Sequence, residues 1–247
     1  MRWTRREEER VTMTNEIYEQ IGVAMTCRSF EEYCRMFDLQ ASDLEGGAIL
    51  DVAGGGSSFT AEARAQGYEA YAVDPRYEGD MKAWIYEAAE EIATSTAKLA
   101  GLMEQFDWSY YGSLESHREG RELSLVRFSN HVRSKEGQGC YVAASLPSLP
   151  LGDDSYNLIF CSHFLFLYAE QFGYEFHEQA VAELIRVCKP GGQIRIYPLI
   201  SLHWKPYLHL ERLIAHIRSL GCEAVLQETK LPFIQASTHY LIIMKIN

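Results

Sequence analysis

Apolar runs of strand length alternate along this chain with segments whose apolar residues recur at helical spacing. Residues 46–54, GGAILDVAG, predict a short buried strand with a glycine turn behind it. Residues 57–67, SSFTAEARAQG, predict a helix that ends in a left-handed Gly67, and residues 68–75, YEAYAVDP, predict a strand that Pro75 ends. Two strands joined through a helix are the beginning of a parallel sheet.

The same alternation resumes after residue 139 and continues to the end of the chain. Strand patterns follow at residues 140–146, 155–162, 193–199, 222–231 and 238–246. Apolar residues at positions i, i+3, i+4 and i+7 indicate a helix over residues 175–189, which the sequence KPGG ends, and a later helix that Gly221 ends. The sequence therefore predicts an α/β fold: a seven-stranded, doubly wound, mostly parallel sheet that finishes in a C-terminal antiparallel hairpin.

The N-terminal part of the chain has a helical pattern. Residues 15–39 predict two helices broken near Thr26. Ser29 and Glu32 have the spacing of a capping box at the start of the second helix. We therefore expect residues 1–44 to form N-terminal helices that precede the sheet.

A long helical segment interrupts the alternation after the second predicted strand. Residues 78–138 contain no convincing strand, carry two helical patterns and are rich in aromatic residues. We expect this segment to be a helical insertion that caps the ligand edge of the sheet, although packing within the insertion explains most of its aromatic residues equally well. The domain prediction is thus a single domain over residues 1–247.

Composition and charge narrow the classes of partner. The chain has 23 Lys and Arg against 34 Asp and Glu, a net charge of -11, which disfavours nucleic acid and anionic membranes as partners. No apolar run approaches the ~20 residues of a membrane helix, and residues 1–10 lack the apolar core of a signal peptide. The cysteines are scattered without metal-ligand spacing, which predicts reduced thiols, no metal site and a cytoplasmic protein.

The glycine loop at residues 53–57 follows the first strand, where an open α/β sheet binds its ligand. A dinucleotide would place its pyrophosphate on the helix N-terminus, but the three glycines are contiguous and do not match the G-x-G-x-x-G spacing. Asp51 would also repel phosphates. S-adenosyl-L-methionine instead carries a sulfonium and an ammonium group, which the Asp51 carboxylate attracts. Asp74, at the end of the second strand, can accept hydrogen bonds from the ribose hydroxyls of either ligand.

Four segments, taken in order, carry the pattern of one family. They are ILDVAGGG at residues 49–56, AVDP at residues 72–75, SLPSLPLGDDSYNLIFCSHFLF at residues 145–166 and ELIRVCKPGGQIRI at residues 183–196. Together they resemble the class I S-adenosylmethionine-dependent methyltransferases, over about residues 45–76 and 139–247. The resemblance implies a Rossmann-like fold, S-adenosyl-L-methionine as cofactor and transferase activity.

The resemblance also implies which residues bind the cofactor. These are Asp51, Ala53, Gly54, Gly55, Gly56, Asp74, Pro75, Ser145, Leu146 and Ser162. The family loop has glycine where this chain has Ala53 and Ser57, and we expect Ala53 to be tolerated only if its φ is negative. Many relatives place an Asp on the adenine amino group before the Leu-Pro; Ser145 stands there, so its hydroxyl or the Leu146 N–H must serve.

The candidate catalytic residue is His163, at the carboxyl end of the fourth strand. It could deprotonate a hydroxyl, carboxylic acid or amine acceptor, although a histidine hydrogen-bonded within the wall of the site fits the same pattern. In the insertion, Arg118, Arg121, Arg127 and His131 would suit a carboxylate- or phosphate-bearing acceptor if two of them faced inward. Neighbouring glutamates favour surface ion pairs instead. His177 is predicted on the polar face of the helix after the fourth strand.

The leading hypothesis is an S-adenosyl-L-methionine-dependent methyltransferase that transfers the methyl group in line to an unidentified small-molecule acceptor. One alternative is a non-catalytic S-adenosylmethionine-binding regulatory or interaction module, which the substitutions at Ala53, Ser57 and Ser145 support; another is a protein methyltransferase. A nicotinamide dehydrogenase fails on Asp51 and on the glycine spacing. A closed aromatic-lined cavity beside the methyl position would favour the enzyme, and a filled one with an exposed apolar patch would favour the module. The sequence leaves the oligomeric state open.

Overall fold

One mixed sheet organises the chain, of which the structure, a computed structural model, describes residues 23–246. Its strands are β1 (Ile49–Val52), β2 (Ala70–Val73), β3 (Tyr141–Val142), β4 (Tyr156–Ser162), β5 (Cys188–Tyr197), β6 (Cys222–Glu228) and β7 (His239–Lys245). They are ordered β3-β2-β1-β4-β5-β7-β6. The first five are parallel, and β7 lies antiparallel between β5 and β6. The predicted doubly wound sheet with its C-terminal hairpin is confirmed.

Helices connect these strands. They are α1 (Phe30–Met36), α2 (Ala41–Leu44), α3 (Phe59–Ala65), α4 (Met81–Ala100), α5 (Leu114–Val132), α6 (Tyr174–Val187) and α7 (Leu210–Ser219). Both α4 and α5 lie between β2 and β3 in the chain. In the described part of the chain, no helix is long and apolar enough to cross a membrane.

Both faces of the sheet are covered, as a parallel sheet requires. Apolar side chains of α6 and α7, including Leu184 and Leu213, pack with Ile159 and Ile194 on one face. On the other face, α1 and α3 pack against β4 in an aromatic cluster formed by Tyr33, Phe37, Phe59 and Phe160. The site therefore has to form at the strand ends rather than on either face.

Several local sequence signals act as predicted. The Ser29 side chain accepts from Glu32 N while the Glu32 carboxylate accepts from Ser29 N, which completes the capping box of α1. Gly67 follows α3 with φ +92°, a left-handed conformation that favours glycine. These features depend on residues close together in the chain, which is why the sequence reveals them.

Three element boundaries differ from the prediction. The strand expected at residues 140–146 is only two residues long, because its single neighbour β2 ends at Val73 opposite Val142. The KPGG sequence does not end α6; it lies inside β5, whose first residue Cys188 pairs with Tyr156. Residues 23–29 are not helical, and α1 begins only at Phe30. The remainder of the first predicted N-terminal helix lies outside the described residues.

Candidate functional site

The glycine loop leaves β1 and turns beneath the backbone of residues 26 and 27. Gly54 N donates to the Val73 carbonyl, and Gly55 N donates to Asp74 Oδ2 at 3.1 Å. A Cβ on Gly55 would lie 3.1 Å from the Thr26 carbonyl oxygen, and a Cβ on Gly56 would lie 2.8 Å from Cys27 Sγ. Gly55 also has φ +52°. The glycines thus permit a close approach of two backbone segments at the end of β1.

Ala53 corrects one sequence-based expectation. Its φ is +59°, in the left-handed region, whereas tolerance of this alanine was expected to require a negative φ. The conformation is the one that a glycine of the family loop would adopt without strain, and an L-residue pays about 1–2 kcal/mol for it. The surrounding loop, held by the Gly54–Val73 and Gly55–Asp74 hydrogen bonds, keeps Ala53 in place despite this strain.

Replacing Ala53 by Gly is therefore expected to raise the free energy of unfolding by up to about 1 kcal/mol, because relief of left-handed strain exceeds the added entropy of the unfolded chain. The exposed helical Ala89 is the matched control: Ala89→Gly should lower the free energy of unfolding by about 1 kcal/mol. Urea unfolding of both variants measures whether each substitution raises or lowers the free energy of unfolding. If Ala53→Gly destabilised the protein as Ala89→Gly does, the strain at Ala53 would be refuted.

Asp74 lies directly after β2 with both carboxylate oxygens held by backbone. Oδ1 accepts from Arg76 N at 2.9 Å and Oδ2 accepts from Gly55 N at 3.1 Å. Burial raises the pKa of Asp74, and these two hydrogen bonds oppose the rise. A carboxylate oxygen can accept more than one hydrogen bond, so Asp74 retains acceptor capacity.

The ends of β1 and β2 border a first cavity, which we call the strand-end cavity. It is open to solvent and contains about 500 Å³ of empty space. Five of the predicted cofactor residues line it: Ala53, Asp74, Pro75, Ser145 and Leu146. Arg76 and Phe164 also contribute to its wall. The wall of this cavity therefore combines the Asp74 carboxylate with apolar side chains. This combination suits a nucleoside, whose hydroxyls can bond to the carboxylate while its base packs against the apolar side chains.

Asp51, in contrast, does not line this cavity or the larger one described below. Its two oxygens both accept from Tyr33 Oη at 2.9 Å. Burial raises the pKa of Asp51 to about 8; the Tyr33 hydrogen bond opposes the rise and the nearby Asp74 adds to it. Gly54, Gly55, Gly56 and Ser162 are likewise absent from the residues that line the two cavities.

A second and larger cavity lies next to the first, and we call it the aromatic-lined cavity. It is open to solvent and contains about 820 Å³ of empty space. Its apolar wall includes Phe106, Leu167, Tyr168, Trp204 and Phe233, and its polar wall includes Arg28, Glu91, His117, Arg121 and His163. Ala24 and Met25 line both cavities, so a stretch of chain without regular secondary structure separates them.

That separating stretch, residues 23–28, is held at several points along its length. Arg76 Nη2 donates to the Val23 carbonyl at 2.6 Å, and Ala24 N donates to Tyr168 Oη at 2.7 Å. Ser57 Oγ donates to the Arg28 carbonyl at 2.8 Å. The glycine loop, the β2 end and the cavity wall therefore all fix the position of this segment.

His163 directly follows β4 and faces the aromatic-lined cavity. Its φ is +54°, an uncommon conformation for a non-glycine residue, and its N–H donates to the Tyr197 carbonyl. Nδ1 lies 2.8 Å from Ser162 Oγ. Burial, and then the charges of Arg28 and Arg121, lower the pKa of His163 well below its ordinary value, so the imidazole is neutral at physiological pH.

The arginines of the insertion divide into two groups. Arg118 pairs at the surface with Glu115, as the neighbouring glutamates suggested, whereas Arg127 pairs with Glu62 of α3. Arg121 instead points inward and is buried. The inward turn follows from its position on α5, on the same face as the buried Leu125 and Phe128.

Arg121 belongs to a buried cluster that the sequence did not reveal as a group. Arg121 Nη1 donates to Glu32 Oε1 at 2.6 Å, and Arg28 Nη1 approaches the same oxygen at 3.3 Å. Burial alone would raise the pKa of Glu32, but Arg121 and Arg28, with hydrogen bonds from Tyr111 and Ser29, lower it to about 2. The only sequence signal for this cluster was the capping-box role of Glu32.

His177 is also placed differently from the prediction. It is fully buried rather than on the polar face of α6. Its two ring nitrogens lie 3.0 Å from the carbonyl oxygens of Gly173 and Leu165. These bonds tie the start of α6 to the chain after β4, which is a structural role.

Comparison with known proteins matches part of the chain to a family model. Residues 120–196 match the family model described as a methyltransferase domain. A curated protein of Methanocaldococcus jannaschii, described as uncharacterized, is 27% identical over 219 residues, which cover 88% of this chain and 94% of that protein.

Two solved structures are similar at a greater distance. The TehB-like SAM-dependent methyltransferase of Corynebacterium glutamicum is 14% identical with a TM-score of 0.47, and the match covers 87% of this chain and 88% of that chain. The 1,6-didemethyltoxoflavin-N1-methyltransferase of Burkholderia thailandensis, solved with 1,6-didemethyltoxoflavin and S-adenosylhomocysteine, is 15% identical with a TM-score of 0.43, over 81% and 71% of the two chains. Neither likeness identifies a residue or a substrate in this chain.

The matched region runs from α5 through β3, β4 and α6 into β5. It includes residues 145–166 and 183–196, two of the four segments that carried the resemblance. The match of residues 120–196 to a methyltransferase-domain model confirms the predicted resemblance to the class I S-adenosylmethionine-dependent methyltransferases, whose cofactor is S-adenosyl-L-methionine.

Proposed function

We propose that this protein is an S-adenosyl-L-methionine-dependent methyltransferase that acts on a small molecule bound in the aromatic-lined cavity. The observation that carries this proposal is the adjacency of the two cavities. Ala24 and Met25 line both, and His163 follows β4 at the wall of the larger one. The proposal places the nucleoside in the strand-end cavity and the acceptor in the aromatic-lined cavity, and it requires the methyl end of the cofactor to reach past Ala24 and Met25 into the larger cavity.

The strand-end cavity fits the nucleoside part of the cofactor. In this proposal Asp74 accepts from the ribose hydroxyls with the lone pairs that Gly55 N and Arg76 N leave free. Pro75 and Leu146 contribute apolar surface for the adenine, and Ser145 Oγ or Leu146 N contacts its edge. Asp51 does not line either cavity, so any attraction for the positive end of the cofactor acts without contact and only in the ionised form that Asp51 gains as the pH rises through about 8.

The cofactor supplies a methyl group on a sulfonium: the acceptor lone pair forms the new bond to carbon while the carbon–sulfur electron pair returns to sulfur. The protein has to align the acceptor and to receive any proton that the acceptor loses. We propose His163 for the proton. Ser162 Oγ donates to Met36 Sδ, so its oxygen can accept from His163 Nδ1–H, which leaves the lone pair on Nε2 free.

Two alternatives remain as outcomes of a test. A non-catalytic binding module would need no space beside the cofactor, yet the aromatic-lined cavity is not filled by side chains. This observation supports the enzyme. A protein methyltransferase would use the same cofactor site but would take a side chain of a partner into the cavity.

The first experiment is calorimetric titration with S-adenosylmethionine, S-adenosylhomocysteine and NADH. We expect the two sulfur nucleosides to bind and NADH not to bind. Asp74→Ala should weaken both by at least about tenfold, because a charged hydrogen-bond acceptor contributes about 1.5–3 kcal/mol.

Asp80→Ala is the matched control. Asp80 caps α4 through Lys82 N in the way that Asp74 caps the turn after β2, but it is exposed and does not line the strand-end cavity. Its removal should leave nucleoside binding unchanged. Failure of wild type to bind either sulfur nucleoside, or tight binding of NADH alone, would refute the proposed function.

A further inference from the structure

The buried charged side chains at the wall of the aromatic-lined cavity carry more positive than negative charge. Arg28 and Arg121 both lie against a single carboxylate, that of Glu32, at 3.3 Å and 2.6 Å. All three side chains are buried, and Glu32 is ionised because its pKa is lowered to about 2. Two positive charges therefore face one negative charge in an environment of low polarity, where the surplus has a large effect.

Other carboxylates near the cavity leave this surplus unchanged. Glu91 lines the cavity but lies 3.7 Å from Arg76, so that pair is neutral as a unit. Asp51 is largely protonated at neutral pH, because burial raises its pKa to about 8. Within the buried cluster of Arg28, Arg121 and Glu32, one positive charge is therefore unbalanced.

Hydrogen-bond donors in the same wall also lack acceptors. Arg121 Nη2 lies 3.1 Å from His117 Nε2, and a guanidinium can only donate, so the proton of the neutral His117 ring is on Nδ1. Within residues 23–246, His117 Nδ1, Arg28 Nε and Trp204 Nε1 are buried without a hydrogen-bond partner. All three residues line the cavity, and all three atoms are donors.

The opposite part of the cavity is a set of packed rings. Phe106 and Phe233 stack with centroids 4.7 Å apart, and Trp204 meets Phe106 edge-on at 5.4 Å. His117 stacks on Phe233 at 5.0 Å, which joins the ring wall to the charged cluster. A ligand that fits both parts has a flat apolar body with an anionic group at one end.

We propose that the acceptor of this enzyme is a carboxylate-bearing, ring-containing small molecule whose carboxylate lies against Arg28, Arg121 and His117. The inference rests on the proposed function, since it concerns the acceptor cavity of a methyltransferase. A carboxylate brings one negative charge and only acceptor lone pairs, which matches one surplus cation and the two unpaired donors Arg28 Nε and His117 Nδ1. A phosphate dianion would reverse the imbalance instead of cancelling it.

The test uses three probes with the same ring system: 2-naphthoate, the neutral 2-naphthamide and 2-naphthyl phosphate. Each is titrated into the full-length protein saturated with S-adenosylhomocysteine, with binding followed by calorimetry. We expect 2-naphthoate to bind at least about tenfold more tightly than 2-naphthamide, because a charge-assisted hydrogen bond is roughly twice as strong as a neutral one. We expect 2-naphthyl phosphate to bind more weakly than 2-naphthoate.

Arg28→Met removes the surplus charge and leaves the Arg121–Glu32 pair in place. We expect it to abolish the preference for 2-naphthoate over 2-naphthamide. Arg28→Lys keeps the positive charge and should retain most of that preference. It therefore tests the inference even if Arg28→Met folds poorly. Arg118→Met is the matched control, since Arg118 lies on α5 but pairs with Glu115 at the surface; it should bind all probes as wild type does.

Each result decides one question. The inference would be overturned by equal binding of 2-naphthoate and 2-naphthamide, by no binding of 2-naphthoate, or by a preference for 2-naphthyl phosphate. Binding of S-adenosylhomocysteine in the same experiment would still support the proposed function. Loss of S-adenosylhomocysteine binding with 2-naphthoate binding retained would refute the proposed function and leave the carboxylate site standing. An unchanged preference in Arg28→Met would also overturn the inference.

Discussion

Glu32→Gln is expected to lower the free energy of unfolding by about 3–5 kcal/mol at pH 7, because it leaves Arg28 and Arg121 buried together without a counter-ion. Glutamine can still complete the capping box with Ser29, so the change isolates the loss of charge. Urea unfolding followed by circular dichroism measures the difference. The variant should also lose the acid-sensitive part of the stability of the wild type.

The pH dependence follows from the direction of the pKa change. The pKa of Glu32 falls from 4.5 to about 2 on folding, so its contribution to stability is present above pH 4.5 and is lost as the pH falls towards 2. The gap between wild type and Glu32→Gln should therefore narrow between pH 5 and pH 3. Glu31→Gln is the control, because Glu31 pairs with Arg35 on the exposed side of α1 and should change stability by less than about 0.5 kcal/mol. Equal effects of the two substitutions would contradict the prediction.

Asp51→Asn is expected to raise the free energy of unfolding, the opposite of Glu32→Gln, by about 2–5 kcal/mol at pH 8. Burial raises the pKa of Asp51 from 3.8 to about 8, so the folded protein retains a proton that the unfolded chain has released. Stability from this group is fully present below pH 3.8 and is lost as the pH rises through 8. An asparagine does not titrate, so the advantage of the variant should grow from pH 4 to pH 8.

The same substitution should weaken binding of S-adenosylmethionine if Asp51 attracts its positive end. Asp80→Asn is the control, since Asp80 is an exposed cap of α4 and asparagine is an equally good cap; it should show no pH-dependent gain. A gain in stability with a loss in binding is the behaviour of a group retained for function. Thermal unfolding at both pH values, with calorimetric titration at pH 8, tests both parts. A stability gap that does not change with pH would refute the raised pKa of Asp51.

Local patterns predicted most elements of the fold. The alternation of strand and helix patterns predicted the seven-stranded sheet, and α5 begins and ends within the predicted helical insertion. Gly67 and the Ser29–Glu32 pair act as predicted, because a cap depends on residues within one helical turn. The length of β3 was not predictable in this way, since it depends on where its neighbour β2 ends.

The candidate site likewise has one part that the sequence predicted and one part that it did not. Ala53, Asp74, Pro75, Ser145 and Leu146 belong to short motifs at strand ends, and they line one cavity together. Residues 23–25 were predicted to belong to the first N-terminal helix, but they are not helical. Contacts from Arg76, Tyr168 and Ser57 hold residues 23–28 between the cavities.

By itself the sequence determined the fold class, and it predicted the edge of the sheet for a ligand and the class of that ligand, because each follows from local periodicity or from a contiguous motif. Only the tertiary structure decided which charges are buried. Arg121 and Glu32 are 89 positions apart, and Arg121 lies one helical turn from Arg118, which is at the surface. Packing of α5 over α3 and the start of α1 buries one arginine and exposes the other. That difference depends on the faces of three helices at once, which no single stretch of sequence encodes.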